Sequence, residues 1–196
     1  MIRRNNGIII IDEITTGAGR TGKWYGYMHY YMAPDIIAMG KGIGNGYPVS
    51  ITVMKAEIAE ALEKNDFHHT QSHQNDPLGC AVVKEVIDTI QEEDLITSSR
   101  ETGDWFLKEL QRLASKQAAI KEVRGRGLML GIEFNESIEK DHLRALNKEL
   151  FYRGFLVGYK AVANLFRFYP ALTIKRENIK SMMENLEELI IKMLQQ

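Results

Sequence analysis

The apolar positions of this chain change their period near residue 95. Residues 8–11 are four consecutive isoleucines, ending in the carboxylates Asp12 and Glu13. An unbroken apolar run of that length predicts a strand over residues 7–12, covered on both faces. A second run, residues 36–39, ends in Gly40-Lys41-Gly42, and residues 49–54 predict a third strand. Between the first two, Gly17, Gly19 and Gly22 break the pattern into a loop. Residues 24–32 are rich in aromatics and read as a short packed connection, with a turn at Pro34-Asp35. Residues 57–64 predict a short helix and residues 65–75 a polar loop. Asp76-Pro77 then opens a helix, because Asp caps well and Pro suits the first helical position. Leu78, Val82, Val86 and Ile90 carry that helix forward at helical spacing. Glu92-Glu93-Asp94 marks its end and a domain boundary.

Beyond that point helical spacing dominates. Phe106, Leu110 and Leu113 share one face of a helix predicted over residues 102–116. Residues 120–127 carry Arg124-Gly125-Arg126-Gly127 and lead into a strand over residues 128–134. Leu143, Leu146 and Leu150 predict a helix over residues 138–153, closed by Gly154. Short strands follow at residues 156–159 and 165–168. Ile179, Met183, Leu186, Ile190 and Leu194 define a long amphipathic helix over residues 175–194. The predicted architecture is α/β, with residues 1–94 as one domain and residues 95–196 as a small α+β domain.

Composition narrows the classes. With 196 residues, the chain holds one large or two small domains. Apolar content of 44% and charged content of 26% are ordinary for a water-soluble fold. A net charge of −1 argues against nucleic acid or an anionic membrane as partner. A single cysteine, Cys80, leaves no internal disulfide and fits the cytoplasm. At a helical position among apolar residues, Cys80 is expected to be core.

Two readings compete for the charged strand ends. Residues 17–23, GAGRTGK, match the Gly-x-x-x-x-Gly-Lys of a phosphate loop. The next residue is Trp24 rather than Ser or Thr, which removes the magnesium ligand, and no helix pattern follows. The other reading pairs Asp12 with Lys41. A lysine amine can bond to the aldehyde of pyridoxal phosphate, and a carboxylate can keep the pyridine nitrogen protonated. An apolar side chain such as Ile14 can lie on the ring face. His68, His69 and His73 share one loop but have no acid at ligand spacing, so no metal is expected.

The stretch DEITTGAGRTGKWYGYMHYYMAPDIIAMGKGIGNGYPVS resembles the signature of the class III pyridoxal-phosphate aminotransferases. That group includes ornithine, 4-aminobutyrate and acetylornithine aminotransferases. The resemblance continues through NDPLGC, VRGRGLMLGIEF and RFYPALTI to the end of the chain. It implies part of a fold type I large domain, a mostly parallel sheet with helices, followed by the small C-terminal domain. It implies amino-group transfer between an amino acid or amine and a 2-oxo acid. Lys41 would carry the cofactor as a Schiff base and move the proton, Asp12 would pair with the pyridine nitrogen, and Ile14 would lie against the ring. Arg167 would grip a substrate carboxylate. Its place between Phe166 and Phe168 suggests a buried partner.

Two positions depart from the usual family pattern. Thr15 stands where the family usually has a Gln that reaches the cofactor's ring oxygen. Ser72, with Thr70 as the fallback, stands where a Thr is donated across a homodimer to the cofactor phosphate. Family members run to about twice this length by the same resemblance, so the chain corresponds to a C-terminal portion. Strands at Ile8 and Ile36 are therefore expected to expose apolar edges, and cofactor binding by this chain alone to be weak. The reading from another class is a catalytically incomplete piece, or an assembly partner that keeps the fold without the chemistry.

Overall fold

The computed structural model describes residues 2–195, which divide into two compact units, Met1–Ile96 and Thr97–Gln196. In the first, strands β1 (Ile10–Asp12), β2 (Ile36–Met39) and β3 (Ile51–Met54) form a mixed sheet in that order. β1 and β2 run parallel, with Asp12 opposite Ala38, and β3 returns antiparallel to β2. Helices α1 (Ala56–Lys64) and α2 (Pro77–Glu92) follow. The strand predicted over residues 7–12 is shorter than expected and not covered on both faces. Ile8 is 55% exposed and Ile10 63%, because β1 pairs with β2 alone among the described strands. Ile8 thus lies exposed ahead of an edge strand, as expected from the sequence, whereas Ile36, expected at an exposed edge too, is half-buried in the central strand β2.

Asp76 caps α2 as its sequence predicts, accepting from the backbone N–H groups of Leu78 and Gly79. The expected face is kept at Val82, Val86 and Ile90 but not at Leu78. Gly79 and Ile90 are buried, Val83 and Val86 are half-buried, and Leu78 is exposed. Cys80 is exposed rather than core. A position one residue from the buried Gly79 is turned by about 100° around a helix of 3.6 residues per turn.

The second unit contains the main apolar core. Its sheet has the order β4 (Ile120–Arg126), β5 (Met129–Phe134), β7 (Leu165–Phe168), β6 (Gly158–Lys160), antiparallel throughout. Helices α3 (Leu95–Lys116), α4 (Lys140–Tyr152) and α5 (Arg176–Leu194) supply the rest. Phe106, Leu110, Ile132, Phe134, Leu143, Leu150, Phe166, Leu186 and Ile190 are nearly or fully buried in one cluster. Two features differ from expectation. β4 occupies residues expected to lead into a strand, because glycines disguise a paired segment. α3 begins at Leu95 rather than at residue 102, since after Leu95 and Ile96 its first two turns run through Thr97, Ser98 and Ser99, with little apolar pattern.

Arg153, just past α4, clasps Glu188 of α5 through both guanidinium nitrogens, at 2.8 and 3.2 Å. Lys192 adds a third contact to the same carboxylate. Hydrogen bonds from Arg153 and then Lys192 pull the Glu188 carboxyl from its ordinary 4.5 to about 2. A depressed carboxyl contributes stability above its unfolded value and loses it as pH falls through the folded one. The melting temperature should therefore fall between about pH 4.5 and pH 2. Glu188→Gln should flatten that part of a melting-temperature profile, modestly because the pair faces solvent.

Candidate active site

The parallel register of β1 and β2 sets the site. Asp12 sits at the last position of β1 opposite Ala38, so both strands run out at the same edge of the sheet. The chain after β1 is folded back at once. Asp12 Oδ1 accepts from the Ile14 N–H at 2.9 Å, a local turn of the kind Asp favours. The Gly17 N–H donates to the Glu13 carbonyl at 2.9 Å.

Glu13 points the other way from Asp12, as neighbouring strand residues do, and is only 2% exposed. Its carboxylate accepts the N–H groups of Gly26 at 2.8 Å and Tyr27 at 2.7 Å, and the Thr16 hydroxyl. It thereby fastens the aromatic connection, including a 3-10 turn at Gly26–His29, behind the turn that carries Asp12. Sequence reasoning noticed Glu13 only as a second carboxylate. The strand period next to Asp12 was the available signal for its inward direction.

β2 ends at Met39, and Lys41 opens a 3-10 segment, Lys41–Gly44, with φ +48°. A left-handed backbone is uncommon for a residue with a side chain. Here it turns the lysine out of the strand line toward the β1 turn. The Lys41 amine donates to Thr15 Oγ1 at 2.7 Å. An ideal Cβ at Gly40 would lie 3.5 Å from the Ile14 side chain. Asp12, Ile14, Thr15 and Lys41 are thus one neighbourhood at one sheet edge. An open cleft of about 470 Å³ begins there, bordered by Lys41, Asn45, Tyr47 and Val49. The Tyr47 hydroxyl donates to Asp76 Oδ2 at 2.6 Å, tying this segment to the cap of α2. That hydrogen bond is the main cause holding the Asp76 carboxyl below its usual range.

The glycine loop at residues 17–23 is no phosphate cradle. The N–H groups of Gly17, Gly19, Arg20 and Gly22 all donate to carbonyls of the same region, and the Lys23 amine donates to the Met28 carbonyl at 2.8 Å. A phosphate loop must present such donors outward.

Thr70 and Ser72 lie exposed on the loop between α1 and α2, and neither makes a hydrogen bond among the described residues. The loop histidines His68, His69 and His73 form no metal-sized cluster with Cys, Asp or Glu there. In the second unit, Arg167 is exposed rather than held by a buried partner. The period of two sends Phe166 and Phe168 into the core and the arginine outward. Its neighbours across the sheet are Gly131 and Gly158, and its guanidinium lies 5.7 Å from the Tyr169 ring centre.

The donor set fits pyridoxal phosphate. Asp12 keeps its second oxygen free of hydrogen bonds among the described residues, which suits a ring N–H. Lys41 is exposed, held by a hydroxyl and by no carboxylate, so its amine is not locked in an ion pair. Ile14 provides an apolar side chain beside Gly40, the residue before Lys41.

The family model for aminotransferase class-III matches residues 1–190. The chain is 33% identical over 190 residues to the acetylornithine aminotransferase of Vibrio cholerae, covering 95% of this chain and 45% of that protein. It is 31% identical over 187 residues to the human mitochondrial alanine–glyoxylate aminotransferase 2, covering 91% and 36%. Among solved structures, an aminotransferase from Bacillus anthracis superposes with a TM-score of 0.91 at 29% identity, over 97% of this chain and 46% of that one. Acetylornithine aminotransferase from Elizabethkingia anophelis gives 0.88 at 30% identity, over 97% and 47%. The chain therefore spans less than half the length of these relatives. No helix among the described residues is long and apolar enough to cross a membrane. By the family match over nearly its whole length, the chain belongs to the class III aminotransferases, a family of pyridoxal-phosphate-dependent enzymes.

Proposed function

We propose that this protein serves pyridoxal-phosphate-dependent transamination between an amino acid or amine and a 2-oxo acid, with Lys41 as the cofactor-bearing amine. The observation that supports the proposal is the placement of Asp12 at the end of β1 and of Lys41 just past the end of the parallel β2, with the Lys41 amine bonded to Thr15 of the turn that follows Asp12. When bound, pyridoxal phosphate supplies a ring that accepts the electrons left when the substrate α-carbon loses its proton.

The chain's residues do the rest. The Asp12 carboxylate would keep a proton on the ring nitrogen, and Ile14 would lie against the ring face. Lys41 would be the amine that holds the cofactor and, when free of it, the group that moves the proton to and from the substrate α-carbon. Arg167 offers a planar guanidinium, suited to a two-point hold on a substrate carboxylate. The glycines beside it leave room for one. Ser72, or Thr70, reaches the phosphate of a neighbouring subunit in a homodimer, and the single cysteine fits a cytoplasmic enzyme.

Borohydride reduction after incubation with pyridoxal phosphate tests the central assignment, because it fixes even weakly held cofactor. Peptide masses are expected to place the reduced adduct on Lys41, and Lys41→Ala should lose it. An adduct spread evenly over surface lysines, unchanged by that substitution, overturns the proposal.

A further inference from the structure

We infer that Thr15 is the positioning residue for the Lys41 amine, rather than a shortened substitute for a side chain that touches the cofactor ring. This rests on the reading of Lys41 above and assigns the hydroxyl a separate job. Thr15 Oγ1 lies 2.7 Å from Lys41 Nζ and is the amine's only hydrogen-bond partner among the described residues. The two carboxylates nearest in sequence to Thr15 are otherwise directed. Asp12 Oδ1 receives the Ile14 N–H, and Glu13 faces the connection behind the turn.

A hydroxyl suits an amine that must change its protonation state. It accepts from the ammonium form, and by rotating its own hydrogen it donates to the lone pair of the neutral form. Thr15 can therefore keep Nζ at the same place before and after the lysine takes up or gives away a proton. A carboxylate there would favour the charged form alone and hold it in an ion pair. A valine would hold neither. The backbone reinforces the arrangement. Lys41 has the left-handed φ of +48°, and the local turn at Asp12 fixes where Thr15 begins. The amine is thus pre-placed at the turn that follows Asp12, which shortens the search that precedes bonding.

The test compares the wild-type chain with Thr15→Val, which keeps shape without the hydroxyl, and Thr15→Ser, which keeps the hydroxyl. Two quantities are read. One is the rate at which pyridoxal phosphate becomes trapped on Lys41 by borohydride. The other is the affinity for 4′-deoxypyridoxine phosphate, which lacks the aldehyde and cannot bond to the amine. Thr15→Val is expected to slow trapping about tenfold, the worth of one hydrogen bond to a charged group. It should leave affinity for the deoxy analogue within about twofold of wild type, a change of under half a kcal/mol. Thr15→Ser should trap at close to the wild-type rate. Trapping by Thr15→Val at the wild-type rate overturns the inference while leaving Lys41 as the cofactor amine. A parallel loss of analogue affinity overturns it too, since the hydroxyl then acts on the ring. Absence of Lys41 trapping in the wild-type chain defeats the functional reading itself, and the role of Thr15 with it.

Discussion

Gly103→Ala is expected to destabilise the C-terminal unit by about 3 kcal/mol, at the upper end of what forced overpacking does. The reason is a backbone meeting a backbone. A Cβ on Gly103 would sit 2.2 Å from the carbonyl carbon and oxygen of Gly127 and 2.5 Å from its Cα. No rotamer change relieves such a contact, because nothing at Gly127 can swing away. Gly127 itself holds a left-handed φ of +52° in the turn between β4 and β5, so the turn cannot easily shift either. Either α3 lifts off the sheet or the hairpin deforms. Lifting α3 would open the layer of Phe106 and Leu110, both nearly fully buried. For a unit of this size, each kcal/mol lost lowers the melting temperature by roughly 4–8 °C. Thermal unfolding followed by circular dichroism reads the effect directly. Ser115→Ala, on the exposed face of the same helix, should melt close to wild type. A Gly103→Ala protein that melts as the wild type does would show that the helix and the turn can part at little cost.

Small residues explain part of what the sequence hid. Helix α3 was legible from residue 102 onward, where Phe106, Leu110 and Leu113 recur at helical spacing. Its first two turns were not, because after Leu95 and Ile96 they run through Thr97, Ser98 and Ser99, which carry no apolar signal. β4 was obscured for a related reason. Residues 120–127, with Gly125 and Gly127, read as the lead-in to a strand over residues 128–134, although a paired strand already runs from Ile120 to Arg126. Where burial is by large side chains, as in α4 and α5, the sequence located the helices within two residues at each end. In the candidate site, the apolar runs ending in Asp12 and Lys41 were readable because strands alternate and end at charged residues. What they touch was not. The partnership of Thr15 with Lys41 depends on a left-handed residue, and no pattern of hydrophobicity reports φ. The exposure of Arg167 was readable from the alternation of Phe166, Arg167 and Phe168, had the period of two been weighed above the apolar neighbours.

Glu13→Ala is expected to cost the N-terminal unit about 3 kcal/mol and to disturb the candidate site as well. Removing the carboxylate leaves the N–H groups of Gly26 and Tyr27 without their partner, and the Thr16 hydroxyl with them. Each buried donor left unpaired costs about 1–3 kcal/mol. Water cannot easily replace the carboxylate, since Glu13 is 2% exposed. A Cβ at Gly26 would come within 2.9 Å of Thr16, so the connection is packed tightly against the turn. Glu13→Gln keeps one acceptor oxygen but turns an NH₂ group toward donors, so it should recover only part of the loss. Chemical unfolding should rank the proteins wild type, Gln, Ala, with Trp24 fluorescence reporting the loosened connection. Because Glu13 lies between Asp12 and the Ile14-Thr15 turn, its loss should also slow trapping of pyridoxal phosphate on Lys41. Lowered stability with unaltered trapping would mean that Asp12, Thr15 and Lys41 hold their places without the buried carboxylate behind them. Loss of both would make Glu13 the anchor through which the fold of the first unit keeps the acid and the amine at one sheet edge.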